Sequence, residues 1–194
     1  MFKKCLCALS FLCLFSSALF AQNWDNPVIL TEEYEPLNYT KDGKLTGLSA
    51  EIVNLLMKKI NIDAEIKVMD WETAYKKLSE ESNIILFSMN LNKERKNNFK
   101  WVGPVCRTEN SFYAKNNSEL LIKSIDDARR AEKIAVVKDY ANTIYLKKRG
   151  FDNLIEFKDL NSAASEMIDN EDIELFPIDN LTYNTLIKTQ QPPT

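Results

Sequence analysis

The feature that most restricts the fold of this chain is a regular alternation of short apolar segments with segments of helical periodicity. Strands are predicted for seven apolar, β-rich segments: 28–30, 64–69, 84–87, 112–114, 133–137, 154–157 and 173–176. Helices are predicted to begin at or directly after Ser49, Asp70, Ser124, Asp139, Leu160 and Asp179. Because strands that alternate with helices usually lie parallel beneath them, we expect an α/β protein.

A polar segment at 115–119 divides this alternation into two successive sets of strands and helices. We therefore expect two α/β lobes, the first at 22–114 and the second at 115–194. Ligands of open parallel sheets bind beyond the carboxyl ends of the strands. The residues that directly follow each strand are thus the candidates for a functional site.

The N-terminal segment has the three parts of a secretory signal peptide. Lys3 and Lys4 precede an apolar run, and small residues lead up to Ala21. A membrane anchor is the alternative, but the run is at the lower limit for a span of about 17–25 residues. We expect a signal peptide at 1–21, with cleavage after Ala21 or Ala18, and a periplasmic protein. Three of the four cysteines leave with this segment, so Cys106 remains without a disulfide partner.

Several function classes are disfavoured by residues that the chain lacks. It contains no histidine, which removes His-dependent general base catalysis and most zinc sites. It has no glycine-rich dinucleotide or phosphate motif, and only four glycines. The net charge of −3 provides no basic surface for nucleic acid. We expect no catalytic residue, metal, cofactor or nucleic-acid partner.

The residues at the ends of the predicted strands form an ordered series. Tyr34-Glu35-Pro36 follows the first strand, Trp71 follows the second, and a run from Ser88 to Arg95 follows the third. In order and spacing this series resembles the periplasmic solute-binding proteins of the polar amino acid uptake family, of family 3 type. The segments 99–104, 150–154 and 172–179 resemble a short-chain branch of that family. The likeness covers roughly residues 27–188 and implies the two-lobed type II periplasmic binding protein fold.

In the first lobe, the resemblance implies that Tyr34 and Trp71 form walls around the ligand side chain. Arg95 would bind the ligand carboxylate, because its planar guanidinium gives two parallel charge-assisted hydrogen bonds. Ser88 and Asn90 would add polar contacts beside it.

In the second lobe, the resemblance places Tyr140, Ala141 and Asn142 at a helix start whose backbone amides face the carboxylate. Asp179 would accept the ligand ammonium. The family usually has Gly-Ser or Gly-Thr where Asp139-Tyr140 stand here. These two residues change the charge and size of the carboxylate site, so the solute itself is left open.

The resemblance implies capture of a small polar, amino-acid-like solute by a monomer that delivers it to an ABC permease in the inner membrane. A ligand-sensing module and a periplasmic dehydratase are the alternatives on the same fold. Dehydration needs a placed acid, for which Glu33 or Glu35 would serve. The acidic pair Glu32-Glu33 is otherwise expected to face solvent.

The chain ends at Thr194, whereas further residues follow in the resembled family and return the chain to the first lobe. We therefore expect the second lobe to be incomplete at its C-terminus, before this return crossover.

Overall fold

Two separate sheets organise the chain in the computed structural model, which describes residues 27–190. The strands are β1 Val28–Thr31, β2 Tyr39–Lys41, β3 Lys44–Thr46, β4 Ile66–Val68, β5 Ile84–Leu86, β6 Asn110–Ala114, β7 Lys133–Val137, β8 Leu154–Phe157 and β9 Ile173–Asp179. The helices are α1 Leu48–Lys59, α2 Trp71–Glu80, α3 Ala141–Lys148, α4 Leu160–Asp169 and α5 Asn180–Gln190, with a short 3-10 helix at Ile125–Arg130. The expected signal peptide at 1–21 lies outside the described residues.

The first sheet has the order β4-β1-β5, and all of its strands are parallel. Central strand β1 pairs with β4 through Leu30 and Lys67, and with β5 through Leu30 and Leu86. Ile29, Leu30 and Thr31 are buried between these neighbours. The predicted parallel βαβ arrangement is therefore confirmed for this lobe. The hairpin of β2 and β3, which the apolar pattern did not indicate, lies outside the sheet.

The second sheet has the order β6-β9-β7-β8, with β6 antiparallel and the other strands parallel. Strand β6 falls within the range expected for the first lobe, yet its whole length pairs with β9. The second sheet thus begins at Asn110, ahead of the polar segment that was used as the boundary. A strand of five residues carries no local signal for which sheet it joins, since the choice depends on its partner.

The apolar pattern predicts the last strand at 173–176, just before Pro177, but β9 continues through Asp179. Strand β9 pairs with β7 at Ile173 and Leu175, whereas Pro177 lies further along, opposite Phe112 of β6. The proline therefore stands where no β7 partner requires its missing N–H, which is the situation that permits proline in a strand.

Two helix starts differ from the expected ones. Gly47, not Ser49, is the N-cap of α1, with φ of +106°. A Cβ at Gly47 would lie 2.6 Å from the carbonyl oxygen of Leu37, so only glycine fits this close approach. At α3 the N-cap is Tyr140, because Asp139 adopts a left-handed conformation with φ of +59° and ends the preceding turn.

Helix α1 forms as predicted, but most of its large apolar side chains are exposed to solvent. Leu55, Leu56 and Ile60 are 67%, 49% and 61% exposed. Strand β5 is apolar throughout, which is typical of a buried strand, yet it is only partly buried along its length. Helical periodicity shows which side of α1 could be covered, whereas covering it requires an element that packs against it.

The larger buried cluster joins the two lobes. It contains Tyr34 and Leu37 from the segment after β1, packed with residues of the second lobe such as Val137, Leu160 and Ile178. No helix within residues 27–190 has both the length and the apolar character that a membrane span needs. The cluster holds the end of β1 against the second sheet, and the functional side chains lie beside it.

Candidate functional site

Residues from both lobes meet in a narrow cleft at the carboxyl ends of the central strands. The residues that line it are Glu32, Tyr34, Trp71, Ser88, Asn90, Arg95, Tyr140 and Ala141. Six of the eight side chains singled out from the sequence are thus brought together, while Asn142 and Asp179 are not among the lining residues. The cavity between them has a volume of only about 10 Å³.

Arg95 lies at the centre of the first-lobe side and is only 3% exposed. Its Nη2 donates to the carbonyl oxygen of Asp139 across the cleft at 2.7 Å, and its Nη1 reaches the Asn90 carbonyl at 3.4 Å. The guanidinium carbon lies 4.7 Å from the ring centroid of Trp71 and 5.1 Å from that of Tyr75. Burial lowers the pKa of Arg95. These contacts fix the plane of the guanidinium, so that Arg95 is not one of the solvated charges of its surrounding run.

The turn after β7 brings the backbone carbonyl of Asp139 and the side chain of Tyr140 to the cleft. The amide of Tyr140 donates to the Val137 carbonyl at 3.2 Å, which closes a tight turn with Asp139 at its left-handed position. That conformation points the Asp139 carbonyl at Arg95. Ser88, on the opposite wall, also has a positive φ, of +64°. Non-glycine residues held in this region are concentrated at functional sites.

Tyr140 occupies the middle of the cleft. Its hydroxyl donates to Glu32 Oε2 at 2.5 Å. Its ring meets Trp71 and Tyr34 edge to face, with centroids 6.0 Å and 6.2 Å apart. Backbone amides were expected at this helix start, facing the ligand carboxylate. The side chain of Tyr140 also lies there and fills the cleft.

Glu32 faces the cleft, so the expectation that it would face solvent is wrong. Burial raises its pKa to about 7, an effect opposed by the Tyr140 hydrogen bond and the Arg95 charge and reinforced by Asp70. Neighbouring Glu33 is exposed and accepts from the backbone and hydroxyl of a threonine instead. Sequence reasoning missed Glu32 because the two carboxylates look equivalent until the strand end turns one of them inward.

Asp179 is buried beside the cleft, where it holds other protein groups. It accepts a 2.5 Å hydrogen bond from the Tyr34 hydroxyl, and it caps α5 through the amides of Leu181 and Thr182 and the Thr182 hydroxyl. This buried carboxylate raises the pKa of Tyr34, although burial of the phenol is the larger cause. The ammonium contact expected for Asp179 stays a prediction.

Asn142 is also engaged in structural contacts. Its Nδ2 donates to the carbonyl of Pro177 at 2.6 Å, and its Oδ1 accepts from the amide of Thr143. It therefore ties the start of α3 to β9, and its expected contact with a ligand stays a prediction.

Three buried polar atoms around the cleft have no hydrogen-bond partner within the described part of the chain. They are Nε1 of Trp71, Oγ of Ser88 and Nε of Arg95. Buried polar groups are almost always hydrogen-bonded, and leaving one unpaired costs about 1–3 kcal/mol. Two of the three are obligate donors and the third can donate. All three residues line the cleft, and their donors suit a ligand group that accepts several hydrogen bonds, such as a carboxylate.

A larger cavity, of about 170 Å³, lies away from this cleft. Among its lining residues are Glu33 and Glu35, the two acids considered for a dehydratase, together with Tyr39 and Leu160. Neither carboxyl group lines the Arg95 cleft. The larger cavity therefore contains neither the buried arginine nor the unpaired donors. We take the smaller cleft as the candidate site.

Comparison with known proteins agrees with this arrangement. L-cystine-binding protein TcyJ of Escherichia coli K12 is 27% identical over 98 residues, which is half of this chain but only 37% of that protein. A solved structure of an ancestral arginine-binding protein bound to arginine superposes with a TM-score of 0.74 at 21% identity, covering 85% of this chain and 74% of that one. Holo ArgBP from T. maritima gives a TM-score of 0.74 at 14% identity, with 87% and 75% covered.

These structural likenesses confirm the expected two-lobed fold of periplasmic binding proteins, and in each comparison about a quarter of the solved chain lies outside the match. The model of one protein family, described as bacterial extracellular solute-binding proteins, family 3, matches residues 27–188. That range includes every described strand and all eight residues that line the cleft. The chain therefore belongs to the bacterial extracellular solute-binding proteins of family 3.

Proposed function

We propose that this chain is an extracytoplasmic solute-binding protein that captures a small polar, amino-acid-like ligand between its lobes for an ABC importer. The observation that carries the proposal is the set of three unpaired buried polar atoms, on Trp71, Ser88 and Arg95, around one interlobe cleft. Family membership supports a binding role, and the relatives named above bind arginine or cystine by name.

The ligand carboxylate is assigned to the side of the cleft that holds these donors. Arg95 Nε–H is a charged donor without a hydrogen-bond partner among residues 27–190, while the Nη groups are engaged with backbone carbonyls. The indole N–H of Trp71 and the hydroxyl of Ser88 supply further donors. Tyr34 and Trp71 form the apolar walls, and Asn90 lies at the exposed edge.

The protein is proposed to be exported from the cytoplasm before it binds its solute. Residues 1–21 are assigned to a signal peptide, and residues 22–114 and 115–194 to the two lobes, with the second sheet recruiting β6. The protein works in the periplasm as a monomer and passes its solute to a permease in the inner membrane. We propose that it binds its solute without transforming it; Glu33 and Glu35, the acids considered for dehydration, lie in a different cavity.

A thermal-shift screen of the purified chain against the standard L-amino acids tests the proposal. A ligand at 100 times its dissociation constant adds about 2.7 kcal/mol of stability. We expect at least one amino acid to raise the melting temperature, and the same screen on Arg95→Ala to show no rise. If no amino acid stabilises the parent, or if Arg95→Ala responds equally, the proposed function is wrong.

A further inference from the structure

The cleft is too small for the ligand that its donors suit. Its cavity volume is about 10 Å³, and a cavity needs roughly 10–15 Å³ to hold a single water molecule. The group that fills the cleft is the side chain of Tyr140, which comes from the second lobe and ends on a carboxylate of the first. An amino acid therefore binds only after this side chain has moved.

The contacts of Tyr140 imitate those of a ligand. Its hydroxyl is a donor on Glu32, and its ring is held between the aromatic walls formed by Trp71 and Tyr34. A backbone carbonyl of the same turn, that of Asp139, accepts from Arg95. One short turn thus supplies both a donor to the acidic group and an acceptor to the basic group.

Tyr140 is placed so that it can leave. It is the N-cap of α3, it takes part in the helix only through its backbone carbonyl, which accepts from Ile144, and it is only partly buried. Rotation of its side chain breaks the bond to Glu32 and two edge-to-face contacts, but no backbone hydrogen bond of a helix or strand.

We propose that Tyr140 is an intramolecular substitute for the ligand, which an amino acid displaces, and that Glu32 then accepts the ammonium group of that amino acid. The inference rests on the proposed function. It adds that Glu32 accepts the ligand ammonium and that Tyr140 competes with the ligand for Glu32. Glu32 is the carboxylate among the residues that line the cleft. Asp179 already accepts from three backbone or side-chain donors near α5 and from Tyr34.

Displacement of Tyr140 makes the site selective for zwitterions. Once the phenol leaves, Glu32 is a partly buried acid without its donor, and a ligand must restore that hydrogen bond. Arg95, Trp71 and Ser88 require an acceptor at the other end. A ligand with only a carboxylate leaves Glu32 unpaired, and one with only an amine leaves three donors unpaired.

The competitor weakens binding by a factor that can be estimated. A hydrogen bond to a charged group stabilises by more than a neutral one, and breaking this one lowers the apparent affinity about 10- to 100-fold. Tyr140→Phe removes the bond to Glu32 and keeps the ring, whereas Tyr140→Ala also frees the volume. Both variants are expected to bind an amino acid about 10- to 100-fold more tightly than the parent.

Calorimetric titration with L-arginine, L-glutamine and L-cystine tests both parts of the inference. The full chain is compared with Tyr140→Phe, Tyr140→Ala and the surface control Tyr145→Phe, which lies on the same helix. The role of Glu32 is tested in the Tyr140→Phe background, where the competitor no longer contributes. There Glu32→Gln is expected to weaken binding about 30-fold or more, and Glu33→Gln to leave it within about threefold.

The outcomes separate this inference from the proposed function. Tighter binding by both Tyr140 variants, with loss of binding on Glu32→Gln, supports the inference. Equal affinity of the parent and Tyr140→Phe overturns the role of Tyr140 while the proposed function stands. An unchanged affinity on Glu32→Gln overturns the role of Glu32. Binding by none of the proteins overturns the proposed function and this inference together.

Discussion

Replacement of Arg95 by lysine is the sharpest test of the carboxylate site. Lysine keeps the positive charge but removes the Nε–H, which has no hydrogen-bond partner in the described part of the chain, and it replaces a planar group with a point charge. If the ligand carboxylate takes one hydrogen bond from Nε–H and others from Trp71 and Ser88, the substitution removes a charge-assisted bond. Such a bond stabilises by about 1.5–3 kcal/mol, which corresponds to about 10- to 150-fold in affinity.

The same substitution also weakens the closed cleft. It removes the 2.7 Å bond from Nη2 to the Asp139 carbonyl and the stacking of the guanidinium on Trp71. A bond from a charged donor and a cation–π contact between two buried side chains together suggest a loss of about 2–5 kcal/mol, less the desolvation that the smaller buried group avoids. We expect the free energy of unfolding to fall by about 1–2 kcal/mol, so the variant should still fold.

Calorimetric titration with whichever amino acid binds the parent measures the first effect, and urea unfolding measures the second. Arg149→Lys is the matched control, because Arg149 is exposed and pairs with Asp126 on the surface. A surface pair of this kind contributes about 0–1 kcal/mol, so the control should leave affinity unchanged. If Arg95→Lys stays within about threefold of the parent in affinity, Arg95 does not bind the ligand carboxylate and the reasoning fails.

Three further predictions concern the stability of the fold. Tyr34→Phe removes the 2.5 Å bond to buried Asp179 between the lobes and should lower the free energy of unfolding by about 1–3 kcal/mol in urea; an unchanged midpoint would contradict it. The folded pKa of Glu32, about 7 against 4.5 for the free group, means that stability falls as pH rises from about 4.5 to about 7. Relative to Glu32→Gln, the loss over that window should be roughly 3 kcal/mol, and parallel pH profiles of the two proteins would refute the burial of the carboxyl group. Gly47→Ala should destabilise by more than Gly43→Ala, since both have positive φ but only Gly47 would bring its Cβ within 4 Å of other atoms; equal melting temperatures would disprove the steric argument.

Local patterns determined the element order and much of the first-lobe site. Apolar segments bounded by turns located β1, β7 and β8, because the local chain alone shows which residues can be buried in a parallel sheet. The rule that ligands bind at carboxyl ends then placed Trp71 and Arg95 at one edge of the first sheet, as the structure has them.

Features that depend on packing between distant elements of the chain could not be predicted from the sequence. The pairing of β6 with β9, the lack of cover on α1 and the need for glycine at Gly47 each depend on an element distant in the chain. Periodicity reports the side of an element that is apolar, whereas packing decides whether another element lies against it.

The sequence by itself determined that Tyr140 follows a strand and begins a helix, and that Glu32 follows another strand 108 residues earlier. Only the tertiary structure decided that the two side chains meet. Their contact depends on how one lobe packs on the other, which the larger core cluster fixes through Tyr34 and Leu37. Because burial changes the chemistry of a carboxyl group as much as its identity does, only the closed cleft distinguishes Glu32 from the exposed acid beside it.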